Sequence, residues 1–448
     1  MPDLDAVQKK PELNDIAWLQ AMLARNTRTA YLKAYGAPQD LAAFRQQVPL
    51  TSYEELQAQW LPRVLAGEPS VLFDGLPCAY ERTGGSSGGA KLIPFSTWGL
   101  LDFQAAINPW LGSVVSTRSI TGLVYLATSP ATRKSEHING IPVGLPDGAY
   151  LGEQWGRWIA QRSAVPLALM AEPSVDVWRE KTLASLRAAH DLEMISIWSP
   201  TFFLRLLDDL PAADKLWPKL KLISCWASAE SSGPAAELQA RLSHAQLQPK
   251  GLLSTECVVT VPDEPDLPVL THHGFFEFEN PQGLFLRDEL IPGTSYTVIA
   301  TTASGLYRYR TGDMVLCKGY TESKQPILEF QGRSGIASDL VGEKLTEAFV
   351  SEALRGIRGF RFLTPIRQAS CYVLVTDEDA VVDLTDIEAR LCVNPQYAYA
   401  RALGQLKPLQ HRPVRQLYDR YVSTQVDRGV RLADVKPVAL IPNFSWID

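Results

Sequence analysis

The chain has 448 residues, 46% of them hydrophobic and 21% charged, which is ordinary globular usage and excludes a disordered, collagen-like or low-complexity protein. At about 150 residues per domain the length anticipates two or three domains. Lys plus Arg number 43 against 49 Asp plus Glu, a net charge of −6 without a dense basic run, so nucleic acid is not an expected partner.

Residues 1–15 mix Asp3, Asp5, Lys9, Lys10 and Glu12 without an apolar core, unlike a secretory signal. Ile16, Leu19, Leu23, Ala30 and Ala34 recur at helical spacing up to Gly36, predicting a helix there. The apolar window Trp98–Val115 is interrupted by Asp102, Gln104, Asn108 and Pro109, so no membrane span is expected. Six scattered cysteines (78, 225, 257, 317, 371 and 392) show no metal-type spacing. They read as reduced thiols of a cytoplasmic protein.

The middle alternates. A helix over 177–190 precedes a strand at Met194–Trp198, a helix carrying Phe202 to Leu210 precedes a strand at Leu220–Cys225, and a helix at Pro234–Leu242 precedes the apolar run Gly251–Leu253. That order predicts βαβ units on a parallel sheet, with ligand loops beyond the strand ends. The loops expected there are Ser199–Thr201, Trp226–Glu230 and Ser254–Glu256. From Phe275 onward short β-rich runs (275–279, 295–302 and 306–310) alternate with Gly or Pro turns, predicting antiparallel strands. Beyond Arg333 come a polar segment, a helix (344–354), a strand (371–376) and a helix (384–403). The expected fold class is α/β: a large amino-terminal domain (1–335) with mixed and parallel sheets and a β-rich subdomain, plus a small mobile α+β domain (336–448). The hinge falls at 333–340, with Gly335 able to absorb a backbone change.

Thr83-Gly-Gly-Ser-Ser-Gly-Gly-Ala-Lys91 carries four glycines in six positions. Such a loop turns successive N–H groups into one concavity suited to polyphosphate. It is not a Walker A loop, since Gly89 leads into Ala90-Lys91 rather than Lys-Ser/Thr. The stretch also fits G-x-S-x-G, with Ser87 as nucleophile and His272, His273 or His411 as base, although the preceding run Cys78–Arg82 is polar for an elbow strand. Asp313, after the Gly312 turn, could accept from ribose hydroxyls or simply cap the turn. Glu256 could hold Mg²⁺ on phosphate oxygens or be a solvated loop acid. His272 and His273, adjacent in sequence, are expected to be structural.

In this order, the Thr83–Lys91 loop, Ser254-Thr-Glu256, Tyr309-Arg-Thr-Gly-Asp313, Gly332-Arg333 and a carboxy-terminal lysine resemble the acyl-adenylate-forming (firefly luciferase-like) enzymes. Val48-Pro-Leu-Thr-Ser-Tyr53, Leu65-Ala-Gly-Glu68, Lys91-Leu-Ile-Pro94 and Gly305-Leu-Tyr-Arg-Tyr-Arg310 narrow the resemblance to the auxin-responsive family of acyl-acid amido synthetases, over roughly residues 40–440. The loop departs from the family pattern Thr-Ser-Gly-Thr-Ser-Gly-Gly, with Gly84 in place of serine and Ser86 in place of threonine.

The resemblance implies an ATP- and Mg²⁺-dependent ligase that makes an acyl-adenylate and passes the acyl group to an amine, an amino acid being the expected acceptor. An acyl-CoA ligase by the same adenylate is the alternative, and a serine hydrolase using Ser87 a more distant one. Thr83, Ser86, Ser87, Gly88 and Gly89 would then hold phosphates, Glu256 the Mg²⁺, and Asp313 with Arg333 the ribose. Thr255 would lie near the α-phosphate or carboxylate, and Ala227 and Ser228 along the adenine wall. Lys436 and Lys344 are the candidates for the active-site cation. A monomer without membrane or nucleic-acid partners is expected.

Overall fold

The computed structural model describes residues 15–83, 91–127, 136–145, 147–210, 212–263, 266–334, 337–428 and 430–442. The first predicted helix is two. Helix α1 (Asp15–Asn26) stops, and Thr29 then caps a short helix over Ala30–Ala34 by accepting from Leu32 N–H. Strands β1 (Ala79–Arg82) and β2 (Leu92–Phe95) form an antiparallel hairpin, joined edgewise by β4 (Glu136–Ile138) and β5 (Ile141–Val143) in the order β2-β1-β5-β4.

The parallel sheet is present, its two central strands within two residues of those expected, but the run Gly251–Leu253 is not one of its strands and both edge strands went unread in the sequence. Its order is β3 (Leu123–Leu126), β6 (Leu192–Ser196), β7 (Leu222–Cys225) and β8 (Gln246–Pro249). Alternation along these strands explains its two covered faces. Val124, Met194 and Leu222 pack against α2 (Thr97–Thr117) and α3 (Asp147–Ala160), through Trp110, Val114 and Trp158. Their neighbours Tyr125, Ile195 and Ile223 pack against α4 (Val175–Ala188), α5 (Pro200–Leu207) and α6 (Ser232–Arg241). Ser199–Thr201 is not a ligand loop. Ser199 is the buried N-cap of α5, accepting from Phe202 N–H, with Pro200 at the first helical turn. Helix α3 breaks at Gly152, whose φ is +76°.

Seven antiparallel strands form the β-rich part: β9 (Thr260–Asp263), β10 (Leu267–Leu270), β11 (Phe275–Asn280), β12 (Gly283–Phe285), β13 (Ser295–Thr301), β14 (Tyr309–Tyr320) and β15 (Pro326–Arg333), in the order β12-β11-β13-β14-β15-β10-β9. Two sequence motifs meet on this sheet. Thr51 N–H donates to Arg308 C=O, and Arg310 N–H donates to Thr51 C=O, both at 2.9 Å. Arg308, at φ +47°, pairs with the buried Glu277 carboxylate through Nε (2.7 Å) and Nη2 (2.9 Å) and also donates to the Arg45 and Val48 carbonyls. The run Gly305–Arg310 thus clamps the Val48–Tyr53 segment onto the sheet.

After Arg333, a two-stranded pair β16 (Ala337–Ser338) and β17 (Leu345–Thr346) leads into α7 (Glu347–Ala353), which Thr346 caps. The helix expected from Lys344 therefore begins later. Strands β18 (Arg361–Ile366), β19 (Cys371–Asp377) and β20 (Gln410–Val414) make a mixed sheet, antiparallel then parallel. The predicted helix over 384–403 is two, α8 (Leu384–Leu391) and α9 (Pro395–Ala402), because Asn394 caps a new start at Pro395. Leu363 and Leu374 face these helices, while Phe362, Val373 and Val375 face α10 (Leu417–Asp427). No helix among the described residues is long and apolar enough to cross a membrane.

Candidate active site

Residues at the carboxyl ends of the four parallel strands line two adjoining clefts, as expected for an open α/β sheet. One, of about 860 Å³, is walled by Trp226–Ser231 after β7, by 250–253 after β8 and by 330–333 at the end of β15. It is closed from the carboxy-terminal side by Glu347, Ser351 and Lys436. The other, of about 1580 Å³, has apolar walls from α2 and α3, among them Phe103, Ile107, Leu111 and Leu151, and carries Thr83, Thr255 and Glu256 at its polar end. Trp226, Lys250, Leu253, Arg333 and Lys436 border both.

The glycine-rich segment connects the antiparallel strands β1 and β2. Thr83 N–H donates to Lys91 C=O (2.9 Å) and Lys91 N–H donates to Thr83 Oγ1 (3.2 Å), closing its neck. Lys91 Nζ donates to Tyr309 Oη at 3.0 Å, and Tyr53 Oη accepts from Leu92 N–H at 2.8 Å. Ser86, Ser87, Gly88 and Gly89 lie outside the described residues. The neck is nevertheless decisive for one alternative. A nucleophile elbow turns from a strand into a helix, whereas this motif joins two antiparallel strands. Nor do the histidines face the clefts: His272 and His273 bond Asp15 and Asp102 at 2.9 Å, and His411 bonds Thr376 at 2.9 Å. The serine-hydrolase reading is set aside.

Ser254–Cys257 is a tight turn, with Ser254 N–H donating to Cys257 C=O (2.9 Å) and Ser254 Oγ accepting from Cys257 N–H (3.2 Å). It presents Thr255 and Glu256 to the cleft. Gly251, just before it, admits no side chain, since a Cβ would stand 1.9 Å from Thr260 O. Asp313 and Arg333 are cross-strand partners on β14 and β15, with Arg333 Nε donating to Asp313 Oδ1 at 3.1 Å. Asp313 is only 2% exposed and borders neither cleft, whereas its partner Arg333 borders both. The Asp313 charge raises the Arg333 pKa above its already high ordinary value.

Lys436 reaches the junction from the carboxy-terminal segment, its Nζ 5.0 Å from the Trp226 ring centroid and its carbonyl accepting from Tyr421 Oη at 2.7 Å. Burial and the Arg333 charge pull its pKa below the usual lysine range, while Asp313, Glu256 and Asp434 oppose the shift. Lys344 is not brought there. It is exposed, at φ +46°, and borders neither cleft.

The sequence matches the GH3 family N-terminal domain over residues 2–214 and the GH3 family central domain over 267–333, together well over half of the chain. The chain belongs to the GH3 family. It is 23% identical to the indole-3-acetic acid-amido synthetase GH3.15 of Arabidopsis thaliana, over 73% of this chain and 69% of that protein. The solved GH3.15 acyl acid amido synthetase superposes with a TM-score of 0.83 at 18% identity, covering 98% of this chain and 93% of that one. A 2-hydroxyisobutyryl-CoA ligase in the postadenylation state in complex with 2-HIB-AMP superposes at 0.59 with 13% identity, covering 95% and 89%. The GH3 assignment agrees with the family resemblance of the loop, turn and strand motifs.

Three features of this GH3 chain escaped sequence reasoning. Trp110 and Trp198 meet over a buried lysine, Lys250. Its only sequence signal is a lone cation before the apolar Gly251–Leu253 run. Glu230, on the wall after β7, meets Arg361 of β18 at 3.5 Å. Glu347 of α7 borders the same cleft, and burial followed by the Glu230 charge pushes its carboxyl up to about 7. Contacts between residues more than 50 positions apart leave no local pattern to read.

Proposed function

We propose that the chain uses ATP to activate a carboxylic acid as an acyl-adenylate and transfers the acyl group to an amine, with an amino acid as acceptor. The observation that carries this reading is the junction of the two clefts, bordered on both sides by Trp226, Arg333 and Lys436, with Thr255 and Glu256 at the polar end of the larger, apolar-walled cleft. A carboxylate oxygen attacks the α-phosphorus and the bond to the β-phosphate breaks, releasing pyrophosphate. The amine nitrogen then attacks the acyl carbon, AMP leaves with the electron pair of the C–O bond, and the nitrogen loses a proton.

In this reading Ala227 and Ser228 border the adenine, and Arg333, held by Asp313, faces the ribose. Thr83 and the loop residues Ser86, Ser87, Gly88 and Gly89 cradle the β- and γ-phosphates. Thr255 meets the α-phosphate and Lys436 offsets the charge developing there. Among the described residues no cluster of three metal-ligating side chains exists. Mg²⁺ is commonly held by substrate phosphates and one or two carboxylates. Glu256 is the carboxylate in place, and the ion would neutralise phosphate charge. Lys436, Glu347 and Ser351 all come from residues 336–448, which supports treating that part as a lid turning at 333–340. Lys344 takes no part in the first step. The six free cysteines support a cytoplasmic setting.

ATP–pyrophosphate exchange screened over carboxylic acids tests the first step, with AMP and pyrophosphate as the expected products. Release of ADP and phosphate would sink the reading. Offering amino acids and coenzyme A side by side separates amide from thioester formation, the latter being the alternative that the CoA-ligase fold likeness keeps open.

A further inference from the structure

Lys250 follows β8 and is 8% exposed. Its Nζ donates to Ser196 Oγ at 2.8 Å and lies 5.0 Å from the ring centroids of both Trp110 and Trp198. No carboxylate lies within ion-pair distance of it among the described residues. An ammonium taken out of water without a counter-charge is costly, and an apolar side chain at such a position would generally stabilise the fold. Burial pulls its pKa down to about 8, and among the described residues the ionisable neighbour acting on it is the Cys225 thiol, itself pushed up to about 12 by burial. Lys436 differs, facing Arg333, Asp313, Glu256 and Asp434. Lys250 borders both clefts, but its ammonium stands among the tryptophans of the large cleft rather than paired with the charged groups that act on Lys436.

We propose that Lys250 is a specificity-determining residue, which receives an oxygen acceptor (a phenolic oxygen or a second carboxylate) carried by an aromatic acid at the end remote from its reacting carboxyl. The proposal rests on the acid-activating reading of the same clefts. Trp110 and Trp198 offer stacking surfaces for the aromatic body, and Ser196 steers the ammonium while leaving two of its three donors for a ligand. A buried donor without its ligand partner discriminates against acids lacking the acceptor.

Matched acids test this: benzoate against para-hydroxybenzoate and against terephthalate. The ratio of kcat/KM values in ATP–pyrophosphate exchange is compared between wild type and Lys250→Met, with Lys250→Gln as the second variant if the first does not fold. The wild type should prefer an acceptor-bearing acid. The substitution should reduce that preference about ten- to a hundredfold, mainly through KM, with no fall in melting temperature. A preference that survives the substitution, or an equal loss on both members of a pair, overturns the assignment. Calorimetric titration with the same acids, without ATP, reads the ratio independently of chemistry. If no acid supports exchange, the adenylation reading fails while the binding ratio still decides Lys250. If the wild type binds no acceptor-bearing acid better than benzoate, the assignment is overturned.

Discussion

A lysine that offsets charge in one transition state should be felt in one half-reaction. Lys436→Ala should suppress ATP–pyrophosphate exchange by about 10²–10³ and spare amide formation from chemically supplied acyl-adenylate. Equal loss in both steps would instead mark Lys436 as part of the frame holding both clefts. Asp313→Asn is a different case. Because Asp313 is buried and paired with Arg333, the substitution leaves a guanidinium short of its counter-charge as well as weakening the proposed ribose site. ATP affinity should fall by roughly ten- to a hundredfold, and the melting temperature should fall with it. Unchanged affinity with lower stability would confine Asp313 to pairing with Arg333. Thr255, Glu256, Arg333 and Lys436 were legible because each lies within, or in order with, a string of family-like residues. Lys250 was not, since a single lysine in an apolar run acquires meaning only when Trp110 and Trp198 close around it.

At the scale of elements, Gly305–Arg310 shows what a recognisable string is for. Gly305 has φ +77°, and a Cβ there would stand 2.7 Å from the Leu72 carbonyl oxygen. Gly305→Ala should cost at least about 1–2 kcal/mol from the left-handed backbone alone, with the clash added, as read by chemical unfolding. A variant as stable as wild type would show that the turn can relax. The motif thus binds the amino-terminal segment to the β-rich sheet. Alternating helices and strands were legible in the middle of the chain because β6 and β7 bury both faces, whereas the partly exposed edge strand β8 gave no such run. Boundaries were not: Ser199, Thr346 and Asn394 act as caps, and which hydroxyl or amide turns back onto the backbone is settled by the chain path around it.

The whole molecule carries a pH signature. Glu347 is raised from 4.5 to about 7, by burial first and then by Glu230. Its folded pKa exceeds its unfolded value, so the folded state binds more protons between those limits and loses stability as pH rises through them. The penalty is absent below about 4.5, complete above about 7, and amounts to roughly 3 kcal/mol at most. Glu347→Gln should remove it, so the variant should gain on wild type in unfolding free energy between pH 4.5 and 7 and hold that margin above. A constant difference across the range would mean that Glu347 is not buried against Glu230 in solution.

The amino-acid string alone was sufficient for the α/β class, the parallel and antiparallel halves, and the order of loop, turn and strand motifs. Periodicity and glycine placement are local properties, and local chemistry selects them. The pairing of Asp313 with Arg333, the approach of Lys436 to Trp226 and the enclosure of Lys250 were decided only in three dimensions. Each joins side chains from separate elements, and their energetics depend on burial, which no linear pattern states. The hydrolase alternative fell for the same reason: five residues fit both chemistries, and the antiparallel strands flanking them, with the histidines bonded away from the clefts, chose between the two.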